Sequence, residues 1–298
     1  MNLDQLVKKV AEQPTKTVAL ASAADQEVIE AVHKAIDKQL ASFILYGDQN
    51  EIEQMLDDHG LSQSTFIKVV QARSDHEASR AAVMAVRNGE ADVLMKGMVS
   101  TSVILKEVLN KEYGLRKGKV LSHIAAFDVQ GYERLIFVTD SGMNIAPDLT
   151  QKVEIVKNAV YIAKSIGVTL PKVVPLAAVE VVNPAMQATL DASALTQMNN
   201  RGQIADCIID GPLALDNAIS VEAAEHKGIK SEVAGKADIL LVPSIEVGNA
   251  LYKSLVYFAN AKVGGVIAGA KAPIVLTSRA DSAQSKVYSI ALAVSSAK

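Results

Sequence analysis

Short apolar runs alternate with segments of helical apolar spacing along nearly the whole chain. Residues 43–46 and 66–70 are typical of buried strands, and residues 26–38 repeat apolar side chains with the period of a helix. Strands that alternate with helices favour βαβ units, which build a mostly parallel sheet with helices on both faces. The sequence therefore predicts an α/β fold. Two blocks of this alternation meet in the polar segment 139–148.

Composition narrows the classes of function. The chain has 298 residues, of which 49% are apolar and 21% charged, with a formal net charge of -3. Such a balance gives no overall field that would attract nucleic acid or an anionic membrane. Tryptophan is absent and no apolar run approaches the ~20 residues that span a bilayer. The single cysteine, Cys207, excludes an internal disulfide framework. We predict a cytoplasmic protein that binds neither nucleic acid nor membranes.

Residues 239–285 contain the strongest candidate site. A strand at 239–242 stops at Pro243, and we expect the Gly248-Asn249 pair to open a helix whose first turns carry Lys253. Free backbone amides, the helix dipole and an ammonium group would then converge there, as an anion site requires.

The last predicted strand of that stretch, residues 273–277, ends in Ser278, Arg279 and Asp281. A hydroxyl, a guanidinium and a carboxylate that follow a strand of an α/β chain lie where such sheets bind ligands. The alternative is that Asp281 or Ser282 caps the last helix and that Arg279 is a solvated surface charge.

Polar side chains also follow or enter other predicted strands. One such pair, Lys96-Gly97, precedes a helix and would place a cation beside the helix N-terminus. The alternative interpretation is a capped helix with an exposed lysine. His123 is predicted to pack or cap rather than to act as a base. If these strand ends converge, they suit a phosphate-bearing substrate. The additional candidate binding residues are Lys96, Gly97, Arg116, Ser122, Asp140, Asn144, Asp210 and Gly211.

Several familiar motifs are missing. The sequence has no G-x-x-x-x-G-K-[ST] loop, no dinucleotide-binding glycine spacing, no H-E-x-x-H and no G-x-S-x-G. No metal-ligating residues are predicted, because five histidines and one cysteine show no ligand spacing.

The segments TDSGMN, DGPLALDNA, GNALYK and APIVLTSR, in this order, resemble the phosphate acetyl/butyryltransferase family. The segment PLAAVEVVNPAM and the chain length resemble the butyryltransferase branch. The resemblance extends from about Ala91 onward. It implies reversible transfer of a short-chain acyl group, most of all butyryl, from coenzyme A to inorganic phosphate by direct attack in a ternary complex. Coenzyme A and phosphate would be substrates, and no cofactor is expected.

The resemblance also implies a fold and an assembly. It predicts two α/β domains similar to the isocitrate/isopropylmalate dehydrogenases, with the active site in the interdomain cleft and the last helix returning to the first domain. We expect residues 1–140 with 285–298 to form the first domain and residues 141–284 the second. A homo-oligomer, a dimer or larger, is expected.

Residue roles follow from the same resemblance. Arg279 is placed on phosphate, Ser278 is expected to donate to the thiolate or carbonyl oxygen, and Arg116 resembles a second family arginine. The acetyltransferase branch has a catalytic carboxylate where this chain has Ser285. Asp281 is expected to replace it as base toward the coenzyme A thiol, with a helix cap as the alternative role.

Three other functions stay open. One is a phosphate acetyltransferase, and another is a non-catalytic sensor of acyl-CoA or phosphate. The third is a metal- and nicotinamide-dependent decarboxylating dehydrogenase of the related fold, for which Asp206, Asp210 and Asp216 are the plausible metal ligands.

Overall fold

The computed structural model describes residues 1–277 and 281–298. The chain separates into two compact units. Residues 3–118 and 263–298 form one, here called the terminal unit, and residues 1–2 and 119–262 form the other, the central unit. The units change at 118/119 and 262/263, earlier along the chain than the predicted domain boundaries at 140/141 and 284/285. The predicted domain ranges stay a prediction.

Residues 3–118 alternate helices with strands, as their apolar periodicity predicts. Aspartate or serine side chains cap α2, α3, α4 and α5 of this series by accepting a backbone N–H bond. The elements are α1 (Leu3–Ala11), β1 (Lys16–Ala21), α2 (Gln26–Asp37), β2 (Ala41–Gly47), α3 (Gln49–Asp58), β3 (Ile67–Gln71), α4 (Asp75–Asn88), β4 (Val93–Lys96) and α5 (Thr101–Val108).

The central unit continues the alternation after an antiparallel pair of strands. Its elements are β5 (Ser122–Asp128), β6 (Ile136–Thr139), α6 (Leu149–Ser165), β7 (Lys172–Pro175), α7 (Gln187–Asn200), β8 (Ile208–Ile209), α8 (Leu215–Ile219), α9 (Val221–His226), β9 (Ile239–Leu241) and α10 (Ile245–Tyr257). The chain then continues through β10 (Lys262–Ala268), β11 (Ile274–Val275) and α11 (Ala283–Ser296).

The strands of the terminal unit lie in the order β3-β2-β1-β4-β11-β10. The neighbours are parallel except β10 and β11, which are antiparallel. Strands β1, β2 and β4 are almost wholly buried. Burial on both faces explains why these strands appear in the sequence as continuous apolar runs.

The strands of the central unit lie in the order β5-β6-β9-β7-β8. Strands β5 and β6 are antiparallel, whereas β6, β9, β7 and β8 are parallel. The predicted turn between β5 and β6 contains Gly131 with a φ of 84°, a conformation that glycine adopts without steric cost. The α/β fold with mostly parallel pairing is thus confirmed.

The last helix, α11, is buried along most of its length and packs against α1 and α2. Tyr288 of α11 donates a hydrogen bond to the Asp4 carboxylate at 2.6 Å. A Cβ added at Gly264 would lie 2.9 Å from the backbone of Tyr288, so the glycine permits β10 to approach the helix closely. The final helix therefore belongs to the core of the terminal unit.

Two details differ from the predicted elements. The short helix α8 was not predicted, and α10 begins at Ile245 after Ser244 rather than at the Gly248-Asn249 pair. In the described part of the chain, none of the helices has the length and apolar character needed to cross a membrane.

Candidate functional site

Two of the predicted catalytic residues, Ser278 and Arg279, lie outside the described residues. The strand that leads to them, β11, runs parallel to β4 and pairs Val275 with Met95. Thr277, the last residue described before them, is buried. The chain therefore leaves β11 at the carboxyl end of the terminal sheet, the end at which α/β sheets bind ligands.

Lys96 is the last residue of the neighbouring strand β4, and Gly97 follows it, at the same end of the sheet. The Lys96 side chain is buried, and its Nζ donates to the carbonyl oxygens of Gly97 at 3.0 Å and Val99 at 3.2 Å. The alternative of an exposed lysine is therefore wrong. A Cβ at Gly97 would lie 2.1 Å from the Ser22 carbonyl oxygen, so only glycine lets this segment pass β1.

Asp281 precedes α11, but its side chain is not the helix cap. The cap is Ser282, whose Oγ accepts a hydrogen bond from the Ser285 amide at 3.2 Å. Of the two alternative caps, Ser282 is thus confirmed and Asp281 is wrong, and the role of Asp281 as a base stays a prediction. The first turn of α11 contains no acidic residue.

A buried lysine that the sequence interpretation missed holds the segment at Asp281. Lys286 is 3% exposed, and its Nζ donates to the backbone carbonyl oxygen of Asp281 and to the Glu27 carboxylate, the latter at 3.1 Å. A second buried ammonium group therefore lies beside the segment that contains the predicted catalytic residues.

Arg116 lies at a different place in the terminal unit. Its backbone forms an antiparallel bridge with Ala270, in the turn that precedes β11. That turn lies at the amino end of β11, and the Arg116 side chain is exposed. The structure therefore does not place the Arg116 backbone at the end of the sheet that Lys96 and Gly97 occupy.

In the central unit, Asp140 follows β6 and is almost completely buried. One carboxylate oxygen accepts hydrogen bonds from the amides of Gly142 and Met143, both at 2.9 Å. The other accepts from the Asn144 side chain at 2.6 Å, and that amide also donates to the Leu121 carbonyl oxygen at 2.8 Å. Asp140 and Asn144 thus hold the turn after β6 in one conformation.

Two residues of β5 lie beside this turn. The buried hydroxyl of Ser122 accepts a hydrogen bond from the Asn158 side chain at 3.0 Å, which ties β5 to α6. The next residue, His123, places its Nδ1 2.8 Å from the hydroxyl of Ser141. Ser122 is therefore a packing residue, whereas His123 faces the turn.

Gly248 packs against the same turn, but not as predicted. Its amide donates to the Ser244 carbonyl oxygen at 3.1 Å, as in any continuing helix, so it is not the free amide that the expected anion site requires. Gly248 instead permits close approach, because an added Cβ would lie 2.6 Å from the Asp140 carbonyl oxygen. Asn249 and Lys253 are exposed on α10. The binding roles of Asn249 and Lys253 stay predictions.

Asp210 and Gly211 follow β8, at the edge of the central sheet. Three strand spacings separate β8 from β6, which places their ends about 14 Å apart. Gly211 fits closely against Pro175, since an added Cβ would lie 3.1 Å from the Pro175 carbonyl oxygen. These two residues therefore do not join the cluster around Asp140.

The aspartates proposed for a metal are engaged elsewhere. Asp206 forms an ion pair with Lys164 at 2.9 Å, and Asp216 forms one with Lys227 at 3.5 Å. A hydrogen bond from Lys227 is also the main cause that lowers the pKa of Glu180. Among residues 1–277 and 281–298, no group of three or more histidine, cysteine, aspartate or glutamate side chains could hold a metal ion. Asp206, Asp210 and Asp216 therefore do not form the metal-holding group that the dehydrogenase alternative names.

The structure thus assembles two clusters from the predicted residues. In the terminal unit, Lys96 and Gly97 lie beside the strand that leads to Ser278 and Arg279. In the central unit, the members are Asp140, Asn144 and Gly248 with two additional residues, His123 and Ser141. Ser141 belongs to the polar TDSGMN segment, whereas its hydrogen-bond partner His123 is predicted from the sequence only to pack or cap.

Comparison with known proteins gives consistent matches. The family described as "Phosphate acetyl/butaryl transferase" matches residues 2–81 and 76–294. A protein named "Probable phosphate butyryltransferase", from Bacillus subtilis (strain 168), is 54% identical over 294 residues, which cover 99% of this chain and 97% of that protein.

Solved structures show the same fold. A branched-chain phosphotransacylase from Enterococcus faecalis V583 has a TM-score of 0.85 at 38% identity, and the match covers 95% of this chain and 99% of that one. A putative 4-hydroxythreonine-4-phosphate dehydrogenase from Salmonella typhimurium has a TM-score of 0.59 at 13% identity, covering 96% of this chain and 100% of that one. The second match shows a likeness of fold alone.

Proposed function

The chain belongs to the phosphate acetyl/butyryltransferase family, and we propose that it transfers a short-chain acyl group, most of all butyryl, reversibly between coenzyme A and inorganic phosphate. The observation that carries the proposal is the 54% identity, over nearly the full length of both chains, to a protein named "Probable phosphate butyryltransferase". The family resemblance predicted from the sequence is thereby confirmed. Butyryl is favoured over acetyl by that relative's name and by the PLAAVEVVNPAM segment.

The chemistry of the reaction explains the residue types. Attack of phosphate on a thioester brings together an anionic nucleophile, a developing oxyanion and a leaving thiolate, so cations and hydrogen-bond donors stabilise the transition state. Lys96 ends the strand that pairs with β11, and the Lys286 ammonium group donates to the Asp281 carbonyl oxygen; both lysines are buried. Burial strengthens their field, because the local dielectric constant is low. Their positions support an anionic ligand at this end of the terminal sheet.

We place Arg279 on phosphate, since its planar fork can donate two parallel hydrogen bonds to phosphate oxygens. Ser278 donates to the thiolate or the carbonyl oxygen, and Asp281 is the proposed base toward the coenzyme A thiol in the reverse direction. Coenzyme A and phosphate are the substrates, and no cofactor takes part. The interdomain position of the active site, a homo-oligomeric state and a cytoplasmic location remain predictions from the resemblance.

The proposal is tested by measuring thiol release from acetyl-, propionyl-, butyryl- and isobutyryl-CoA at saturating phosphate. We expect kcat/KM to be highest for butyryl-CoA. A maximum for acetyl-CoA would instead identify a phosphate acetyltransferase. Calorimetric binding of acyl-CoA without any thiol release would favour the sensor.

The role of Arg279 has its own test. Arg279→Lys keeps the charge but loses the fork, so turnover should fall severely while the thermal midpoint stays unchanged. Arg73→Lys, at an exposed position, is the matched control and should leave turnover as it is. Near-normal activity of Arg279→Lys with phosphate and butyryl-CoA would remove Arg279 from the site.

A further inference from the structure

We propose that His123, oriented by Ser141, is a further catalytic residue and carries the proton from the attacking phosphate to the departing thiol. The proposal rests on the acyl transfer proposed above. It starts from the hydrogen bond of 2.8 Å between His123 Nδ1 and Ser141 Oγ, at the turn that follows β6. This turn lies at the carboxyl end of the parallel strands β6 and β9, where such sheets bind ligands.

The partner of this imidazole distinguishes it from a merely structural histidine. His59, for comparison, places its Nδ1 2.8 Å from the Met55 carbonyl oxygen, which can only accept and therefore fixes the proton on that nitrogen. A hydroxyl both donates and accepts. Ser141 therefore satisfies Nδ1 of His123 whether the ring is neutral or protonated. The hydrogen bond survives a change in protonation, which a proton carrier requires.

The surroundings hold the ring in one orientation. The Ser141 hydroxyl is buried, and the Thr139 hydroxyl donates to the backbone carbonyl oxygen of His123 at 2.8 Å. The ring of Tyr252 lies 6.1 Å from the imidazole centroid, and a Cβ at Gly142 would touch the imidazole at 3.6 Å. His123 itself is only half-buried, so its ring is fixed without being enclosed.

The carboxylate next to this pair is already engaged. Asp140 accepts hydrogen bonds from the amides and the side chain of its own turn, and this network holds Ser141 in place. Acid–base work in the cluster therefore falls to the imidazole, the side chain that exchanges protons most readily near neutral pH.

The step balances with a single proton. An oxygen of hydrogen phosphate forms a bond to the thioester carbonyl carbon, and neutral His123 takes the proton of that phosphate. The C–S bond then breaks, sulfur leaves with the electron pair, and the imidazolium returns the proton to sulfur. The products are acyl phosphate and the thiol of coenzyme A, and the imidazole is neutral again. In the reverse direction His123 removes the thiol proton first, so this proposal gives His123 the role of base that the family resemblance implied for Asp281.

The test uses the full-length enzyme with phosphate and butyryl-CoA. His123→Gln should lower kcat by about 100- to 10,000-fold, the usual share of general acid–base catalysis, with little change in either KM. Ser141→Ala should cause a smaller loss, because Ser141 only positions the ring. His226→Gln, at an exposed position of α9, is the control and should retain wild-type kcat.

A second variant separates proton transfer from folding. His123→Ala should regain activity when imidazole is added, in proportion to its concentration, which a structural role does not predict. Wild-type activity in His123→Gln, or a loss in His123→Ala that imidazole does not restore, would overturn the assignment. Incorporation of the acyl group into wild-type protein but not into Ser141→Ala would also overturn it, since Ser141 would then be a nucleophile. If wild-type protein releases no thiol, the proposed function itself fails.

Discussion

Gly248 offers a sharp test, because two physical effects of replacing it with alanine have opposite signs. Within a helix, alanine is more favourable than glycine by about 1 kcal/mol. Gly248 lies inside α10, so propensity alone predicts that Gly248→Ala stabilises the protein. Contact with the turn after β6 predicts the opposite.

The geometry decides which effect is larger. The added Cβ would lie 2.6 Å from the Asp140 carbonyl oxygen, 2.8 Å from the Ser141 Cα and 2.9 Å from a Val242 methyl carbon. Carbon atoms prefer separations of about 3.5–4.0 Å, so α10 or the turn must move by about 0.7 Å or more. Overpacking of this kind costs about 1–3 kcal/mol. The net expectation is a loss of up to about 2 kcal/mol of stability.

The assay is urea unfolding of wild type, Gly248→Ala and Ser254→Ala, followed by thiol release from butyryl-CoA. Ser254 is exposed on the same helix and should change the stability by less than about 0.5 kcal/mol. Gly248→Ala should unfold at lower urea and lose turnover, because the turn holding Ser141 is displaced. A variant as stable and as active as wild type would refute the close-approach argument.

Three other predictions concern buried polar groups. Lys152→Ala should lower the free energy of unfolding in urea by about 3–5 kcal/mol, because it leaves the buried carboxylate of Asp191, 2.5 Å away, without a counter-charge. Lys152→Met combined with Asp191→Leu should restore most of that loss. An equal loss in the single and the double variant would contradict the role of this ion pair. Burial raises the pKa of Cys207 to about 11, so the native thiol should react slowly with a disulfide reagent at pH 8 and rapidly in urea; rapid native reaction would contradict its burial. Asp140→Ala removes the acceptor of at least three turn hydrogen bonds, and should lower both the thermal midpoint and kcat, whereas an unchanged midpoint would show that the turn does not need it.

Local patterns predicted the elements and the family, but not the contacts between elements. Strands β1, β2 and β4 are buried on both faces, so their apolar runs are plain in the sequence. The start of α10 was missed because Gly248-Asn249 has the composition of a loop. The glycine is there for packing against Asp140, a residue 108 positions earlier in the sequence.

The roles of residues within one segment are also easier to predict than contacts between residues that are far apart in the sequence. Asp140 and Asn144 lie four residues apart, and their polar turn was recognised, although its carboxylate serves the turn itself. His123 and Ser141 meet only because β5 and β6 pair as a hairpin. Lys286 and Glu27 are 259 positions apart, and no local pattern connects them. Such pairs depend on tertiary packing, which a single sequence does not display.

The central claim is that the acyl group moves to phosphate rather than to water. The most direct measurement is ³¹P NMR of purified protein with butyryl-CoA and phosphate, alongside quantification of free thiol. We predict one acyl phosphate for each coenzyme A released, and no release when phosphate is omitted. Release of coenzyme A that is independent of phosphate and yields only butyrate would contradict the account.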